Sequence, residues 1–193
     1  MEAIASAGVD WVQIREKDLP AKELAALTRE ALLRTAGNAG AAHPAARVLV
    51  NDRLDVALTE GAGGVHLGES SLPVDEAKRC VEMHSSGKDF LIGVSCHSLE
   101  GAKAAATNGA SYLFFGPIFA TPSKAAFGAA QGADRLAEVC RRVSIPVLAI
   151  GGITLENAAA CFAAGAAGIA AIRLFQDASD PAVMIAALRR LPR

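Results

Sequence analysis

Polar side chains that could bind phosphate groups follow the first two apolar runs of this chain. Gln13, Arg15 and Lys17 alternate at the end of the first run, and Asn51 and Asp52 follow the second. Arginine and lysine bind phosphate oxygens through charge-assisted hydrogen bonds, and a carboxylate next to an amide suits a hard divalent cation. The pattern predicts a site for anionic groups and a metal ion. Surface charges at Arg15 and Lys17, and a helix cap at Asp52, are the alternatives.

Hydroxyl groups, glycines and further charged side chains follow the later apolar runs. These positions are Glu69, Ser71, Ser95, Thr121, Ser123, Lys124, Gly151, Gly152 and Arg173. The pair Gly151 and Gly152, with Thr154 as the predicted N-cap of a helix, favours a cradle of backbone N–H groups for a phosphate. A simple tight turn is the alternative. His66 lies inside an apolar run, which favours a buried structural histidine over a ligand.

Motifs of covalent catalysis are missing from the sequence. Neither a Ser-His-Asp order nor an HExxH motif occurs, and no lysine is isolated in an apolar run. These features would accompany an activated nucleophile or a metalloprotease site. The residues that are present favour a different chemistry, in which anionic groups are held in place and a leaving group is stabilised.

The apolar runs have the length and composition of strands that are covered on both faces. The predicted strands are 11–15, 48–51, 64–67, 90–94, 112–115, 147–150 and 168–172. The predicted helices are 21–35, 54–60, 74–83, 99–108, 133–142, 155–164 and 181–191, after a helical remnant at 2–7. Seven strand–helix units predict one α/β domain over residues 1–193, a (β/α)₈ barrel without its first strand. A doubly wound sheet is the alternative, but no GxGxxG follows an early strand.

Composition limits the classes of partner. The 193 residues are 52% hydrophobic and carry a net charge of −1, without a basic stripe. Neither nucleic acid nor an anionic membrane is therefore expected as the main partner, and no apolar run is long enough to span a bilayer. The four cysteines form no CxxC pair, and Met1 is followed by Glu2 rather than by a secretory signal. We expect reduced thiols and a cytoplasmic location.

Seven motifs, in order along residues 8–191, resemble the superfamily of thiamine phosphate synthase and thiazole tautomerase. They are QIREKDL, VNDRLDVAL, GVHLG, IGVSCHSLEGA, FFGPIFATPSK, IPVLAIGGIT and AAGAAGIAAI. The resemblance implies a (β/α)₈ barrel with two small phosphorylated substrates. The synthase joins 4-amino-5-hydroxymethyl-2-methylpyrimidine pyrophosphate to hydroxyethylthiazole phosphate and releases pyrophosphate, with Mg²⁺ as cofactor. Self-association as a homo-oligomer is compatible with the resemblance.

The resemblance also implies roles for individual residues. Gln13 would contact the pyrimidine, and Asp52 would bind Mg²⁺. The pyrophosphate would be held by Arg15, Lys17, Asn51, Ser95 and Lys124, of which the three cations and Ser95 are expected to be catalytic. Thr121 and Ser123 would lie in a loop that closes over the substrates. The thiazole phosphate would be bound by Gly151, Gly152, Ile172 and Arg173.

Three features depart from the synthase pattern. Ser71 stands where the synthase has an aspartate that is a second Mg²⁺ ligand, so that Glu69 or Ser71 would have to take its place. Arg173 replaces a small serine and could bind a phosphate or crowd the thiazole. The first barrel strand is absent.

Pro117 stands where the tautomerase has its proton-transferring histidine. A synthase is therefore predicted, with a tautomerase-like paralogue or a non-catalytic thiazole-phosphate-binding protein as alternatives.

Overall fold

The computed structural model describes residues 7–36, 44–84, 89–121 and 129–192. Seven β-strands form in these residues: β1 (Trp11–Ile14), β2 (Arg47–Asn51), β3 (Gly64–Leu67), β4 (Leu91–Cys96), β5 (Tyr112–Phe115), β6 (Val147–Ile150) and β7 (Gly168–Ala170). Each overlaps one of the predicted apolar runs. The α/β class and the count of seven strands, one short of eight, are confirmed.

Helices alternate with the strands in the described residues. They are α1 (Ala21–Ala36), α2 (Leu54–Thr59), α3 (Val74–His84), α4 (Leu99–Thr107), α5 (Gly132–Arg142), α6 (Leu155–Ala163), α7 (Arg173–Gln176) and α8 (Pro181–Arg189). None of these helices has both the length and the apolar character that crossing a membrane requires.

The chain divides into two compact units, one up to Gly93 and the other from Val94. In the first unit, β1 pairs with β2 and β2 with β3, all in parallel, with Gln13 opposite Leu49 and Asn51 opposite His66. Every residue of β3 is buried, as expected for a strand covered on both faces. This register brings the carboxyl ends of the three strands to one edge of the sheet.

The second unit repeats the arrangement with β5, β6 and β7. These strands are also parallel, with Phe115 opposite Ala149 and Ile150 opposite Ala170. All four residues of β5 are buried, and the rings of Tyr112 and Phe114 lie 5.4 Å apart. The prediction of a single domain over residues 1–193 stays a prediction beside these two units.

Helix caps fix the points at which three of the helices begin. Ser98 accepts a hydrogen bond from Gly101 N at the start of α4. Asp180 accepts hydrogen bonds from two backbone N–H groups at the start of α8, where Pro181 occupies the first turn. Thr154 caps α6, as the sequence predicts. Each cap satisfies N–H groups that have no partner inside the helix, and so ends the preceding loop at a defined residue.

Some predicted boundaries are wrong. β4 continues to Cys96 rather than ending at residue 94, so Ser95 lies in the strand and not after it. β1 ends at Ile14, which places Arg15 just beyond the strand. β7 ends at Ala170, because the backbone turns into a helix at Ile172, whose carbonyl accepts from Phe175 N and Gln176 N. The predicted helical remnant at 2–7 lies outside the described residues, except for Ala7.

The buried face of α5 provides a test of the core. Leu136 is 0% exposed, so replacing it by alanine removes contacts and leaves a cavity. We expect Leu136→Ala to lower the free energy of unfolding by about 2 to 5 kcal/mol in urea denaturation. Leu33, which is 76% exposed on α1, is the matched control, and Leu33→Ala should change stability by less than about 0.5 kcal/mol. Equal effects of the two variants would contradict the assigned core.

Candidate active site

A chain of hydrogen bonds joins the ends of β1 and β2. Gln13 Nε2 donates to Asn51 Oδ1 at 3.1 Å, and Asn51 Nδ2 donates to Asp52 Oδ2 at 2.7 Å. The Asn51 amide therefore uses its oxygen toward one neighbour and its nitrogen toward the other. Because both ends of the amide are engaged, its orientation is defined, and the Asp52 carboxylate is held beside it. The predicted pyrimidine, pyrophosphate and metal residues of this edge are in contact.

The backbone at Asp52 has an uncommon conformation. Its φ is 61°, in the left-handed region, and Arg53 N donates to Asn51 O at 2.7 Å across it. This three-residue turn with a positive φ is rare and strained, and aspartate is among the few residues that tolerate it. Asp52 N also donates to His66 O at 2.9 Å, which continues the pairing of β2 with β3. The turn therefore places the carboxylate directly at the strand end, at a cost of about 1–3 kcal/mol.

Ser71 completes the network from the segment after β3. Its Oγ donates to Asp52 Oδ1 and accepts from Gly68 N at 2.8 Å, while Gly68 N also lies 3.4 Å from Asp52 Oδ1. Of the two predicted substitutes for the second metal ligand, Ser71 thus touches Asp52. Glu69 is an exposed side chain of the same segment.

The two cations of this unit, Arg15 and Lys17, are exposed on the segment that follows β1. Arg15 is near enough to His66 to affect its ionisation. Cations that are exposed at the carboxyl edge of the sheet are accessible to an anionic ligand from solvent. Their predicted role in binding pyrophosphate stays a prediction.

His66 is buried in β3, as its apolar surroundings predict. It is 2% exposed, and burial lowers the pKa of its imidazole to about 4, an effect that Asp52 opposes and Arg15 reinforces. A histidine with this pKa is neutral at pH 7. It therefore adds no positive charge next to Asp52 under physiological conditions.

The turn after β6 shows why glycines are needed there. Gly151 has a φ of 95° and Gly152 a φ of 65°. A Cβ on Gly152 would lie 2.6 Å from the carbonyl oxygen of Phe119 and 2.7 Å from that of Ala120. Because Ile118 N donates to Ile150 O and Phe119 N to Gly151 O, the segment after β5 packs directly on this turn. The pair is thus a close backbone contact as well as a predicted phosphate cradle.

The turn leads into the N-terminus of α6 through a capping box. Asn157 N donates to Thr154 Oγ1, and Thr154 N donates to Asn157 Oδ1 at 2.8 Å. Asn157 Nδ2 also donates to Gly152 O at 2.9 Å. The side chain of Asn157 therefore ties the glycine turn to the first turn of the helix, whose dipole favours an anion nearby.

His97 joins the ends of β4 and β5, a contact that the sequence interpretation missed. Its Nδ1 bonds to the carbonyl oxygen of Gly116, and since a carbonyl only accepts, Nδ1 carries the proton. Gln131 Nε2 donates to His97 O at 3.0 Å, and Gln131 N donates to Pro117 O at 2.7 Å. The available signal was the position of His97 just after the Ser95–Cys96 pair that ends a strand.

The other predicted site residues of the second unit have different settings. Ser95 is half-buried in β4, and Thr121 is half-buried at the end of a described segment. Ser123 and Lys124 lie outside the described residues. Ile172 is 57% exposed, and the exposed Arg173 begins α7 instead of ending a strand. Because β7 pairs with β6, Arg173 follows the strand that neighbours the glycine turn.

The residues around Asp52 offer oxygen atoms of the kind that a hard metal ion prefers. Within residues 7–36, 44–84, 89–121 and 129–192, no group of three or more histidine, cysteine, aspartate or glutamate side chains could hold one. Asp52 instead offers one carboxylate beside the Asn51 amide and the Ser71 hydroxyl. This donor set fits Mg²⁺, which usually keeps several waters and is bound through one or two carboxylates together with substrate phosphates.

The strand ends thus define a class of protein. Cations, one carboxylate, hydroxyl groups and a glycine turn at the carboxyl ends of parallel strands are typical of α/β enzymes that act on small phosphorylated molecules. Comparison with known proteins narrows the class. Residues 1–175 match the model of the thiamine monophosphate synthase family.

Individual relatives agree with the family model. The chain is 47% identical over 181 residues to a putative thiamine-phosphate synthase of Geobacter sulfurreducens, covering 94% of this chain and 80% of that one. It is 44% identical over 179 residues to the thiamine-phosphate synthase of Anaeromyxobacter dehalogenans, covering 93% and 75%. A solved structure of thiamine phosphate pyrophosphorylase from Pyrococcus furiosus has a TM-score of 0.83 and 31% identity, covering 98% and 86%.

The chain therefore belongs to the thiamine monophosphate synthase family. The resemblance that the motifs indicate is confirmed, and so is the predicted enzyme class, a transferase of thiamine biosynthesis.

The glycine turn after β6 can be tested with a matched pair of variants. Gly61 and Gly152 have similar positive φ angles, 69° and 65°, but a Cβ on Gly61 would meet nothing within 4 Å. We expect Gly61→Ala to lower the free energy of unfolding by about 1–2 kcal/mol, which is the cost of placing alanine in the left-handed backbone conformation. Gly152→Ala should lower the free energy of unfolding by about 1–3 kcal/mol more, because its Cβ would also clash with the carbonyl oxygens of Phe119 and Ala120. Equal losses in urea denaturation would refute the close contact.

The buried His66 predicts a pH dependence of stability. Its folded pKa of about 4 lies below the ordinary histidine value of 6.5, so the unfolded chain takes up the proton first as the pH falls. Stability from this residue is present above pH 6.5 and is lost between pH 6.5 and 4, by about 2 kcal/mol between pH 7 and pH 5. Urea denaturation at the two pH values measures this loss.

Two variants separate His66 from the other titrating groups. We expect His66→Gln to show a loss between pH 7 and pH 5 that is smaller by about 2 kcal/mol, because its side chain does not titrate. His84→Gln, at an exposed position, should keep the dependence of the native chain. The same slope in all three proteins would show that His66 is not buried in its neutral form.

Proposed function

We propose that this chain joins 4-amino-5-hydroxymethyl-2-methylpyrimidine pyrophosphate to hydroxyethylthiazole phosphate, forming thiamine phosphate and pyrophosphate. The observation that carries the proposal is the contact of Gln13, Asn51 and Asp52 at the ends of β1 and β2. These three side chains are those to which the family resemblance assigns the pyrimidine, the pyrophosphate and the metal. Membership of the family supports the same reaction.

The reaction needs no nucleophile from the protein. The bond between the pyrimidine methylene carbon and the pyrophosphate oxygen breaks, and pyrophosphate leaves with the electron pair. The lone pair of the thiazole nitrogen then forms the new carbon–nitrogen bond, which leaves the positive charge on the thiazolium ring. The protein has to orient two substrates and stabilise the negative charge on the leaving group.

The first unit is proposed to bind the pyrimidine pyrophosphate. Gln13, oriented by its bond to Asn51, contacts the pyrimidine, and the exposed cations Arg15 and Lys17 neutralise the pyrophosphate. Asp52 holds Mg²⁺, which when bound supplies further positive charge beside the leaving group. Since pyrophosphate carries several negative charges, two cations alone would leave it partly uncompensated.

The second unit is proposed to bind the thiazole phosphate. Gly151 and Gly152 bring backbone N–H groups close to the N-terminus of α6, where a phosphate is favoured. Ile172 and Arg173, both exposed after β7, complete the binding of the thiazole phosphate. The family resemblance assigns Ser95 and Lys124 to pyrophosphate binding, and Thr121 and Ser123 to a loop that covers the substrates. The resemblance of the motifs assigns these roles by position, with Arg173 standing where the synthase has a small serine.

The residue after Gly116 argues against the tautomerase alternative. Pro117 is buried at this position and has no side-chain group that can transfer a proton. A proton-transfer enzyme needs an acid or base within reach of the substrate. A non-catalytic thiazole-phosphate-binding protein differs in forming no product, and the assay below distinguishes it.

The state of the cysteines supports a location in a reducing compartment. All four, Cys80, Cys96, Cys140 and Cys161, are free thiols, and burial raises the pKa of Cys161 to about 11. A thiol with such a pKa is unreactive at neutral pH. We propose the cytoplasm, where thiols are kept reduced.

Turnover of the two substrates in the presence of Mg²⁺ tests the proposal, with thiamine phosphate detected after oxidation to its fluorescent thiochrome. We expect product from the native chain, none after chelation of the metal, and a loss of at least about 100-fold in kcat for Asp52→Asn. Asparagine is nearly isosteric and tolerates a positive φ, so the variant removes the charge and keeps the turn.

Glu82→Gln is the control for this variant, because it removes an exposed carboxylate from α3, away from the strand ends. It should keep most of the turnover. Binding of thiazole phosphate to Asp52→Asn should be unchanged in calorimetry. No product from a folded native chain would refute the synthase function, and full activity of Asp52→Asn would refute the metal role.

A further inference from the structure

The hydrogen bonds of Asp52 limit how its carboxylate can bind a cation. Each carboxylate oxygen has about two lone-pair positions. Oδ1 accepts the Ser71 hydroxyl and also faces Gly68 N at 3.4 Å, so both of its positions are engaged. Oδ2 accepts from Asn51 Nδ2 at 2.7 Å and keeps one position. In this arrangement Asp52 is a ligand through one oxygen only.

Ser71 is itself a weak ligand. Its proton is donated to Asp52, and its oxygen accepts from Gly68 N at 2.8 Å. The hydroxyl is neutral, whereas Mg²⁺ prefers anionic oxygens. These bonds allow Ser71 to orient the carboxylate, because the Ser71 hydroxyl is bonded to the backbone at Gly68 N and to Asp52 Oδ1.

We propose that Ser71 is a positioning residue that leaves Asp52 a single oxygen for a divalent cation, so that the cation binds at this site only together with a pyrophosphate group. The inference rests on the proposed function, since it concerns the same pyrophosphate. It adds that the metal and the pyrophosphate bind together, and that Asp52, oriented by Ser71, binds the metal–pyrophosphate complex.

Coordination chemistry gives the reason. Mg²⁺ takes six oxygen ligands in an octahedral arrangement and gives up its waters reluctantly. One carboxylate oxygen supplies a single position, and the described residues hold no cluster of three or more side chains of the metal-binding types. Pyrophosphate oxygens supply further positions together with negative charge. The coupling is reciprocal, so the metal must raise the affinity for pyrophosphate by the factor by which pyrophosphate raises the affinity for the metal.

Two binding measurements on the full chain test the proposal without turnover. Mn²⁺, which replaces Mg²⁺ and is visible by electron paramagnetic resonance, is titrated with the protein alone. Inorganic pyrophosphate is titrated by calorimetry with and without Mg²⁺. For the native chain we expect Mg²⁺ to tighten pyrophosphate binding at least tenfold. We also expect the same weak Mn²⁺ binding for the native chain and for Asp52→Asn.

Variants of Ser71 separate positioning from a structural role. Ser71→Ala should reduce the Mg²⁺-dependent gain in pyrophosphate affinity about tenfold, the usual effect of losing a residue that orients a metal ligand. Metal-free binding of pyrophosphate should not change. Ser71→Thr keeps the hydroxyl and should keep the gain. Ser71→Asp adds a second carboxylate and should tighten the binding of Mn²⁺ alone at least tenfold. Thermal unfolding checks that each variant is folded.

Several results would overturn the proposal. Tight Mn²⁺ binding by the native chain alone, lost in Asp52→Asn, would show a preformed metal site. An unchanged Mg²⁺-dependent gain in Ser71→Ala would show that the hydroxyl does not position Asp52. If either occurs while the native chain makes thiamine phosphate, the inference fails and the proposed function stands. If the chain neither makes product nor binds pyrophosphate with Mg²⁺, both fail.

Discussion

The network of hydrogen bonds in the first unit depends on how one carboxylate is held. Asp52 sits in a strained turn at the end of β2, between the Asn51 amide and the Ser71 hydroxyl. Its own N–H group bonds to the neighbouring strand at His66 O. A carboxylate on a mobile loop would have to be ordered whenever a ligand arrives, at a cost in conformational entropy. Here the Asp52 carboxylate is already ordered in the folded protein, so the site is preorganised.

In the second unit, the glycine turn after β6 is held by close contact between backbone segments more than by side-chain hydrogen bonds. The turn of Gly151 and Gly152 lies against the segment after β5, at distances that leave no room for a side chain. Asn157 then links this turn to α6. The two units thus present complementary chemistry: charged and amide side chains in the first, and backbone groups with a helix dipole in the second.

Periodicity and apolar runs were sufficient to predict the strands and most helices, because burial of parallel strands leaves a clear pattern in the sequence. Boundaries were less predictable where hydrogen bonds to distant residues decide them. β4 extends to Cys96, whose carbonyl accepts from Gly116 N, a contact that the local sequence does not reveal. The early end of β7 likewise depends on the helical turn at Ile172.

The same distinction applies to the site. Residue types at strand ends predicted a set of candidate side chains, and the register of β1 and β2 brings two of them, Gln13 and Asn51, together. The bond between Ser71 and Asp52 could not be predicted, because it depends on the path of the chain after β3. The link from His97 to Gly116 was missed for the same reason. Contacts between loops are set by tertiary structure, which leaves little trace in local sequence.

The positive φ of Asp52 also restricts how this position can change during evolution. Exchange of aspartate for glutamate keeps the charge and is a mild change for a metal ligand. The left-handed backbone, however, is readily adopted only by glycine, asparagine and aspartate. Of these three, aspartate alone carries a carboxylate. Backbone geometry therefore leaves a single acceptable residue at a position where ligand chemistry alone would accept two.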